Sequence, residues 1–326
     1  MDSQNTSQQT LLNAAIPIEL SLIIPVFNEE EVVKIFISTV EDILIARNIS
    51  FEFIFVNDGS KDNTYEVLKN LSIQNSKIKI INLSRNYGKE QALSAGLDFA
   101  TGLAGVPIDC DLQDPPELII EMYDKWKEGF DVVLAKRIDR SSDGLIKRRT
   151  SAAFYNLINT VSDIDIPNNV GDFRLIDRRV IDALKTYPEK TRFMKGIFAS
   201  VGFKQTTVEY VRPARVAGTT SWNYFGLYKL AIEGFVSFTS IPLKMWSYVG
   251  AMVSIFSFVY GIYLVVKTTV LGADVPGYTS LMVVLLVMSG LILLSLGIIG
   301  EYISRIFIEV KQRPTYIVMD KIGFGD

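Results

Sequence analysis

Short apolar runs alternate with amphipathic segments from Ile16 to about Val211, and long uncharged runs dominate the rest of the chain. Leu20–Val26 and Phe51–Val56 are apolar at successive positions and rich in β-branched or aromatic residues. Ile78–Leu83 and Gly105–Ile108 read the same way. Continuous apolar runs of this length mark strands buried on both faces. Helical spacing fills the intervals at Glu29–Arg47, Asn63–Ser72, Lys89–Ala100 and Pro116–Glu128. Strand–helix alternation predicts an α/β domain with a mostly parallel sheet, with ligands at the carboxyl ends of the strands.

Beyond Arg215 the pattern changes. Trp222–Thr239 is aromatic-rich and amphipathic, carries Lys229 and Glu233, and reads as an interfacial helix. Trp246–Val266 and Tyr278–Gly300 contain no charged residue. At about 1.5 Å per residue each is long enough to cross the roughly 30 Å of hydrocarbon in a bilayer. The connecting stretch Thr268–Gly277 has no Lys or Arg, whereas Lys244, Lys267, Arg305, Lys311 and Arg313 flank the two runs. Lys267 aside, this bias places the N-terminal domain and the C-terminus in the cytoplasm. Ser289, Gly290, Ser295, Gly297 and Gly300 would let the second span pack closely, and self-association into a homo-oligomer is expected. The expected organisation is a polar tail at 1–15, an α/β domain at 16–218, amphipathic juxtamembrane helices at 219–242 and spans at 243–267 and 278–300. An extracytoplasmic loop at 268–277 joins the spans, and a cytoplasmic segment closes the chain at 301–326. Gly218–Trp222 reads as a hinge. Residues 1–15 lack the basic and apolar regions of a signal peptide.

Composition narrows the chemistry. The mean hydropathy of +0.25 is high for a soluble enzyme. A net charge of −3 argues against a nucleic-acid binder. A single cysteine, Cys110, excludes an intramolecular disulfide and suits a reducing compartment. The chain has no histidine, which removes Ser–His and Cys–His nucleophiles and any zinc site built on imidazole. A metal would need oxygen ligands, pointing to Mg²⁺ or Mn²⁺.

The expected strand ends carry the polar residues. Pro25-Val26-Phe27-Asn28-Glu29-Glu30 follows the first strand, where Asn28 could equally cap the next helix. Asn57-Asp58-Gly59-Ser60 follows the second; Asp58 could accept hydrogen bonds from a nucleobase or ribose, or simply form an Asp-Gly turn. Ser84-Arg85-Asn86-Tyr87-Gly88-Lys89 follows the third and offers Arg85 and Lys89 to phosphates at a helix N-terminus. Asp109-Cys110-Asp111-Leu112-Gln113-Asp114-Pro115-Pro116 follows the fourth, gathering three carboxylates and an amide as for a metal–diphosphate, though Asp before a Pro pair also makes a solvated turn.

With Gly171-Asp172-Phe173-Arg174-Leu175, these runs resemble the family 2 glycosyltransferases of GT-A fold. The similarity is greatest to the polyprenyl-phosphate hexosyltransferase subgroup, which includes bactoprenol glucosyltransferases and dolichol-phosphate mannose synthases. It covers nearly the whole chain after residue 16, and Asn57 departs from the Asp common at that position. The resemblance implies that Pro25, Phe27, Glu29 and Asp58 hold uridine and ribose. It implies that Asp109, Asp111 and Gln113 orient a divalent metal on the donor diphosphate; Arg85, Lys89 and Asp109 count among the expected nucleotide-sugar contacts. Asp111, Asp172 and Arg174 would be the catalytic group, Asp172 and Arg174 near the reacting centre or the acceptor phosphate, with Asp163 or Asp165 as alternatives to Asp172.

An acceptor can be argued separately. A sugar hydroxyl would need a general base. A lipid monophosphate, with a second pKa of roughly 6, is mainly dianionic at neutral pH and would not. It would need cations, and Arg137, Arg140, Lys147, Arg148 and Arg149, with Arg212 and Arg215, supply them or face anionic headgroups. The expected reaction is inverting transfer of a hexose, glucose foremost, from UDP-glucose to polyprenyl phosphate. Mannose, N-acetylglucosamine and aminoarabinose relatives share these motifs. A processive polysaccharide synthase would carry a Gln-x-x-Arg-Trp motif, absent here. A non-catalytic nucleotide-sugar sensor or membrane scaffold is the alternative of another class.

Overall fold

The computed structural model describes residues 17–138, 170–187, 198, 202–211, 241–271 and 277–324. The expected tail, the hinge at Gly218–Trp222, the interfacial helix at Trp222–Thr239, Asp163 and Asp165 lie outside the described residues. Among those residues, eight strands form one sheet: β1 (Leu20–Val26), β2 (Phe51–Asn57), β3 (Ile78–Leu83), β4 (Ala104–Pro107), β5 (Val132–Arg137), β6 (Val170–Asp177), β7 (Gln205–Tyr210) and β8 (Val318–Ile322). Their order is β7-β5-β6-β4-β1-β2-β3-β8. Strands β4, β1, β2 and β3 run parallel, as do β5 and β7, while β6 and β8 run against their neighbours.

Among the described residues of the domain, the helices are α1 (Val33–Ala46), α2 (Thr64–Gln74), α3 (Lys89–Phe99), α4 (Leu118–Lys127) and α5 (Arg178–Lys185). Side chains alternate across the sheet, so a strand covered on both faces must be apolar throughout. In β1, Leu20, Leu22 and Ile24 face one apolar cluster with Phe36, Val40 and Leu44 of α1 and Met122 of α4. Ile23 faces the other, with Leu93 of α3 and Ile181 of α5. Phe36 meets Phe53 and Phe55 edge-on at 6.5 and 6.3 Å between centroids, a geometry that adds to burial.

Helix α1 begins four residues later than expected, at Val33 rather than Glu29. The reason is Asn28, whose backbone adopts a left-handed conformation (φ 57°). Its side-chain oxygen accepts the Lys61 N–H at 2.8 Å instead of capping α1. The chain thus leaves β1 in a turn, not a helix.

Two long helices come after the domain, α6 (Ile241–Leu271) and α7 (Tyr278–Val310). Helix α6 encloses the expected first span. Among the described residues one stretch, Val287–Val310, is long and apolar enough to cross a membrane. Helix α7 encloses the expected second span, 278–300, and runs on to Val310. The segment expected at 301–326 supplies β8, which returns to the sheet and pairs with β3.

Candidate active site

Four loops at the carboxyl ends of parallel strands are joined by hydrogen bonds. Pro25 sits in β1 beyond the last residue that pairs with β4, where its missing N–H breaks no bond with that neighbour. Phe27 is exposed at the rim, 41% accessible. Asn28 receives Lys61 N–H and donates its own N–H to Ser60 Oγ at 3.0 Å. Glu29 N–H donates to Thr64 Oγ1 at 2.8 Å. The β1 and β2 loops are therefore held as one unit.

Asn57 and Asn82 pair across β2 and β3, with Asn57 Nδ2 donating to Asn82 Oδ1 at 2.8 Å in a buried contact. An aspartate at 57 could not donate, so the departure from the common Asp fits this chain's own Asn82. Asp58 is buried, 3% accessible. Its two oxygens accept the N–H groups of Tyr87 (2.7 Å) and Gly88 (2.9 Å). Burial pushes its pKa up, partly offset by these two donors and by Arg85. Asp58 thus fixes the β3 loop from beneath. Gly59 makes the close approach possible: its φ is +68°, and a Cβ there would stand 2.5 Å from the Arg85 carbonyl carbon. Arg85 lies over the Tyr87 ring at 4.2 Å.

Lys89 opens α3, an unfavourable place for a cation beside the helix N-terminus. Two carboxylates compensate. Lys89 Nζ stands 2.7 Å from Asp109 Oδ1 and 3.0 Å from Asp172 Oδ2. Burial works against the ammonium, but these two charges outweigh it and hold the Lys89 pKa above its ordinary value. Asp109, at the end of β4, and Asp172, on β6, thereby converge on one cation.

Asp111, Leu112 and Gln113 form a tight turn. Gln113 N–H donates to Asp111 Oδ1 at 3.1 Å, and Leu112 has φ +55°, a conformation uncommon outside Gly and Asn. The buried Gln113 is followed by Asp114, which accepts the Tyr210 hydroxyl at 2.6 Å and ties the turn to the end of β7. Cys110 is buried between the two aspartates; desolvation first, then Glu29, Asp109 and Asp111, push its thiol pKa up. The thiol stays protonated and is no nucleophile. Among the described residues no three His, Cys, Asp or Glu side chains gather as a metal site.

Arg174 is buried and turns back along β6, donating to the Gly171 carbonyl at 2.6 Å while its guanidinium covers the Phe198 ring at 4.2 Å. It shapes the strand end that bears Asp172. Arg137 ends β5 opposite Tyr210, with a buried Nε that has no hydrogen-bond partner among the described residues. Arg140, Arg148, Arg212 and Arg215, expected with Arg137 at an acceptor phosphate, lie outside the described residues, as do Lys147 and Arg149.

Residues 21–185 match the profile of glycosyl transferase family 2. The chain belongs to glycosyl transferase family 2. Residues 241–306 match a second profile, the GtrB C-terminal hairpin. An uncharacterized glycosyltransferase of Synechocystis is 51% identical over 94% of this chain and 96% of its own length. A prophage-derived bactoprenol glucosyl transferase of Shigella flexneri is 47% identical over 92% of this chain and 97% of its own. Glucosyl-3-phosphoglycerate synthase from Mycobacterium tuberculosis, solved with Mn²⁺ and UDP-glucose, is 18% identical with a TM-score of 0.43, covering 66% of this chain and 76% of that one.

As a family 2 glycosyltransferase the chain has a site richer than its motifs suggested. Sequence reasoning named Ser60 without giving it a role and missed Thr64 and Asn82, all of which position the loops, and the Asp114–Tyr210 bond. The signal available was polar residues inside or beside apolar strands, each of which needs a partner. Tyr210 gave no such signal, since a tyrosine suits a strand on packing grounds alone.

Proposed function

We propose that this glycosyltransferase moves a hexose, glucose foremost, from a UDP-sugar to a polyprenyl phosphate at the cytoplasmic face of a membrane. The observation that carries the reading is the convergence of Asp109 and Asp172 on one cation, Lys89, at the carboxyl ends of the sheet. Two carboxylates that already hold a cation suit a divalent ion bound by oxygen ligands. Asp109 and Asp111, with Gln113, would hold Mg²⁺ or Mn²⁺, and Asp172 faces the same point. When bound, the ion supplies Lewis-acid stabilisation of the leaving diphosphate. Lys89 and Arg85 bring further positive charge to that diphosphate, and Phe27 and Glu29 line the side where the nucleoside would lie. Arg137 would orient an acceptor phosphate opposite the leaving group, so that direct displacement inverts the anomeric carbon. Glucose is supported by the 47% identity to a bactoprenol glucosyl transferase.

Membrane placement is supported by the return of β8. The chain leaves the sheet at Tyr210 and rejoins it at Val318. Both ends of that excursion lie on one side of a bilayer, so any crossings between them are even in number. A crossing by Val287–Val310 then requires another, and α6 is its partner in our reading, with domain and C-terminus cytoplasmic. Small residues along α7 favour a homo-oligomer.

Purified protein given radiolabelled UDP-glucose, undecaprenyl phosphate and Mn²⁺ or Mg²⁺ tests this. Label should enter the organic phase only when lipid phosphate and metal are both present. Parallel incubations with GDP-mannose and UDP-N-acetylglucosamine decide the sugar. Label from none of the three donors overturns the reading.

A further inference from the structure

The segment after α7 reaches the rim of the candidate site. Val318 pairs with Leu83 at the carboxyl end of β3. The next β3-side residue, Ser84, donates its N–H to the Ile317 carbonyl at 3.0 Å. Ser84 opens the loop that carries Arg85, Tyr87, Gly88 and Lys89, and its hydroxyl lies 3.0 Å from the Tyr87 hydroxyl. The ladder shifts register between Asn82 and Leu83, so the pairing is adjusted where the loop begins. Tyr316 adds a tether by donating its hydroxyl to Asp98 of α3 at 2.8 Å. Tyr316, Val318 and Tyr87 all pack against the apolar cluster on that face.

The far end of β8 is anchored as well. Gly323 has φ +83°, and a Cβ there would stand 2.9 Å from the Ile78 carbonyl. Phe324 packs on Phe99 at 5.3 Å between centroids, and Tyr65 donates its hydroxyl to Asp320. The β3 loop is therefore held from two sides. Asp58 takes the N–H groups of Tyr87 and Gly88 from within the domain. Ile317, only a few residues after the end of α7, takes that of Ser84 from the other side.

We propose that the C-terminal strand is a positioning element of the donor site, fixing Ser84 and through it the loop that presents Arg85 and Lys89 to the nucleotide diphosphate. The proposal rests on the nucleotide-sugar reading for the ligand, but not for the clamp itself. It makes the end of the membrane helix and the donor site one mechanical unit, joined by backbone hydrogen bonds. A strand with two charged residues in five, Asp320 and Lys321, held at a sheet edge by these specific contacts is suited to such a role.

Two full-length variants test it. Gly323→Val unseats the far end of β8, and Tyr65→Phe with Tyr316→Phe removes only the two hydroxyl tethers, so that misfolding cannot explain both. Hydrogen exchange at Ser84–Gly88 and the dissociation constant for UDP are the readouts. Both variants should speed exchange in Ser84–Gly88, leave the Phe27–Glu31 turn unchanged, and weaken UDP about three- to tenfold. The KM for the sugar donor should rise while that for the lipid acceptor stays constant. Fast exchange in Val318–Ile322 with wild-type exchange in Ser84–Gly88 and wild-type UDP affinity would overturn the proposal. Absence of UDP binding by the wild-type protein would count against the nucleotide-sugar reading, while the exchange readout would still decide the clamp.

Discussion

Asp109 and Asp172, one at the end of β4 and one on β6, share a single ammonium group, Lys89 Nζ, at 2.7 and 3.0 Å. Neither carboxylate lies near the other in the chain, and they meet only because β6 is inserted antiparallel beside β4. The shared cation holds together two negative groups that would otherwise repel.

Replacing that cation should be costly. In Lys89→Met the two carboxylates lose the ammonium they share, and the diphosphate loses a positive contact. We expect kcat/KM for the sugar donor to fall about 100-fold or more, with both donor KM and kcat affected. Donor-dependence kinetics on membrane-inserted protein check this; activity within a factor of three of wild type would remove Lys89 from the site.

Asp58 is predicted to act by holding the β3 loop. Asp58→Asn sets an amide NH₂ against one of two backbone N–H donors, which costs about 1–3 kcal/mol. UDP affinity should drop by about tenfold, and the amides of Tyr87 and Gly88 should exchange faster. Unchanged exchange with lost binding would instead assign Asp58 to direct ligand contact.

The amino end of the sheet makes a pH prediction. Glu52 is 1% accessible and accepts hydrogen bonds from Ser21 and Thr101 and an ion pair from Lys79 at 2.6 Å. Burial alone would raise its pKa, but Lys79, Ser21 and Thr101 outweigh it and hold the carboxyl below its ordinary 4.5. A carboxyl depressed in the folded state adds stability above its unfolded pKa, and that stability is lost as pH falls through the folded value. Glu52→Gln should therefore lower stability by about 3 kcal/mol at neutral pH, because Lys79 is left without its partner. The melting temperatures of wild type and variant should converge as pH drops below 4.5. A gap that is constant with pH would contradict this assignment.

Topology can be read with cysteines, because the native Cys110 is buried and silent. Gly277→Cys, at the start of α7, should react with an impermeant maleimide added to intact cells. Arg313→Cys, between α7 and β8, should react only after the membrane is opened. The reverse pattern would invert the proposed orientation.

Much of the domain was legible because its central strands are buried on both faces, so Leu20–Val26 and Ile78–Leu83 appear as unbroken apolar runs. The loops were legible as polar clusters at strand ends. The start of α1 was not, since Asn28 looks like a helix cap until its left-handed backbone is seen. Strand β8 was hidden for a different reason. Val318–Ile322 is short, charged in the middle and half exposed, and it becomes a strand only because β3 offers an edge. The Lys89–Asp172 pair is likewise a product of strand order, which spacing along the chain does not report.

The most direct test of the central claim is Asp111→Ala in the lipid-transfer assay, with membrane insertion and UDP-glucose-independent folding measured on the same sample. The account predicts normal insertion and no label in undecaprenyl phosphate with either Mg²⁺ or Mn²⁺. Near-normal transfer by that variant would contradict a metal-assisted glycosyl transfer centred on the Asp109–Gln113 turn.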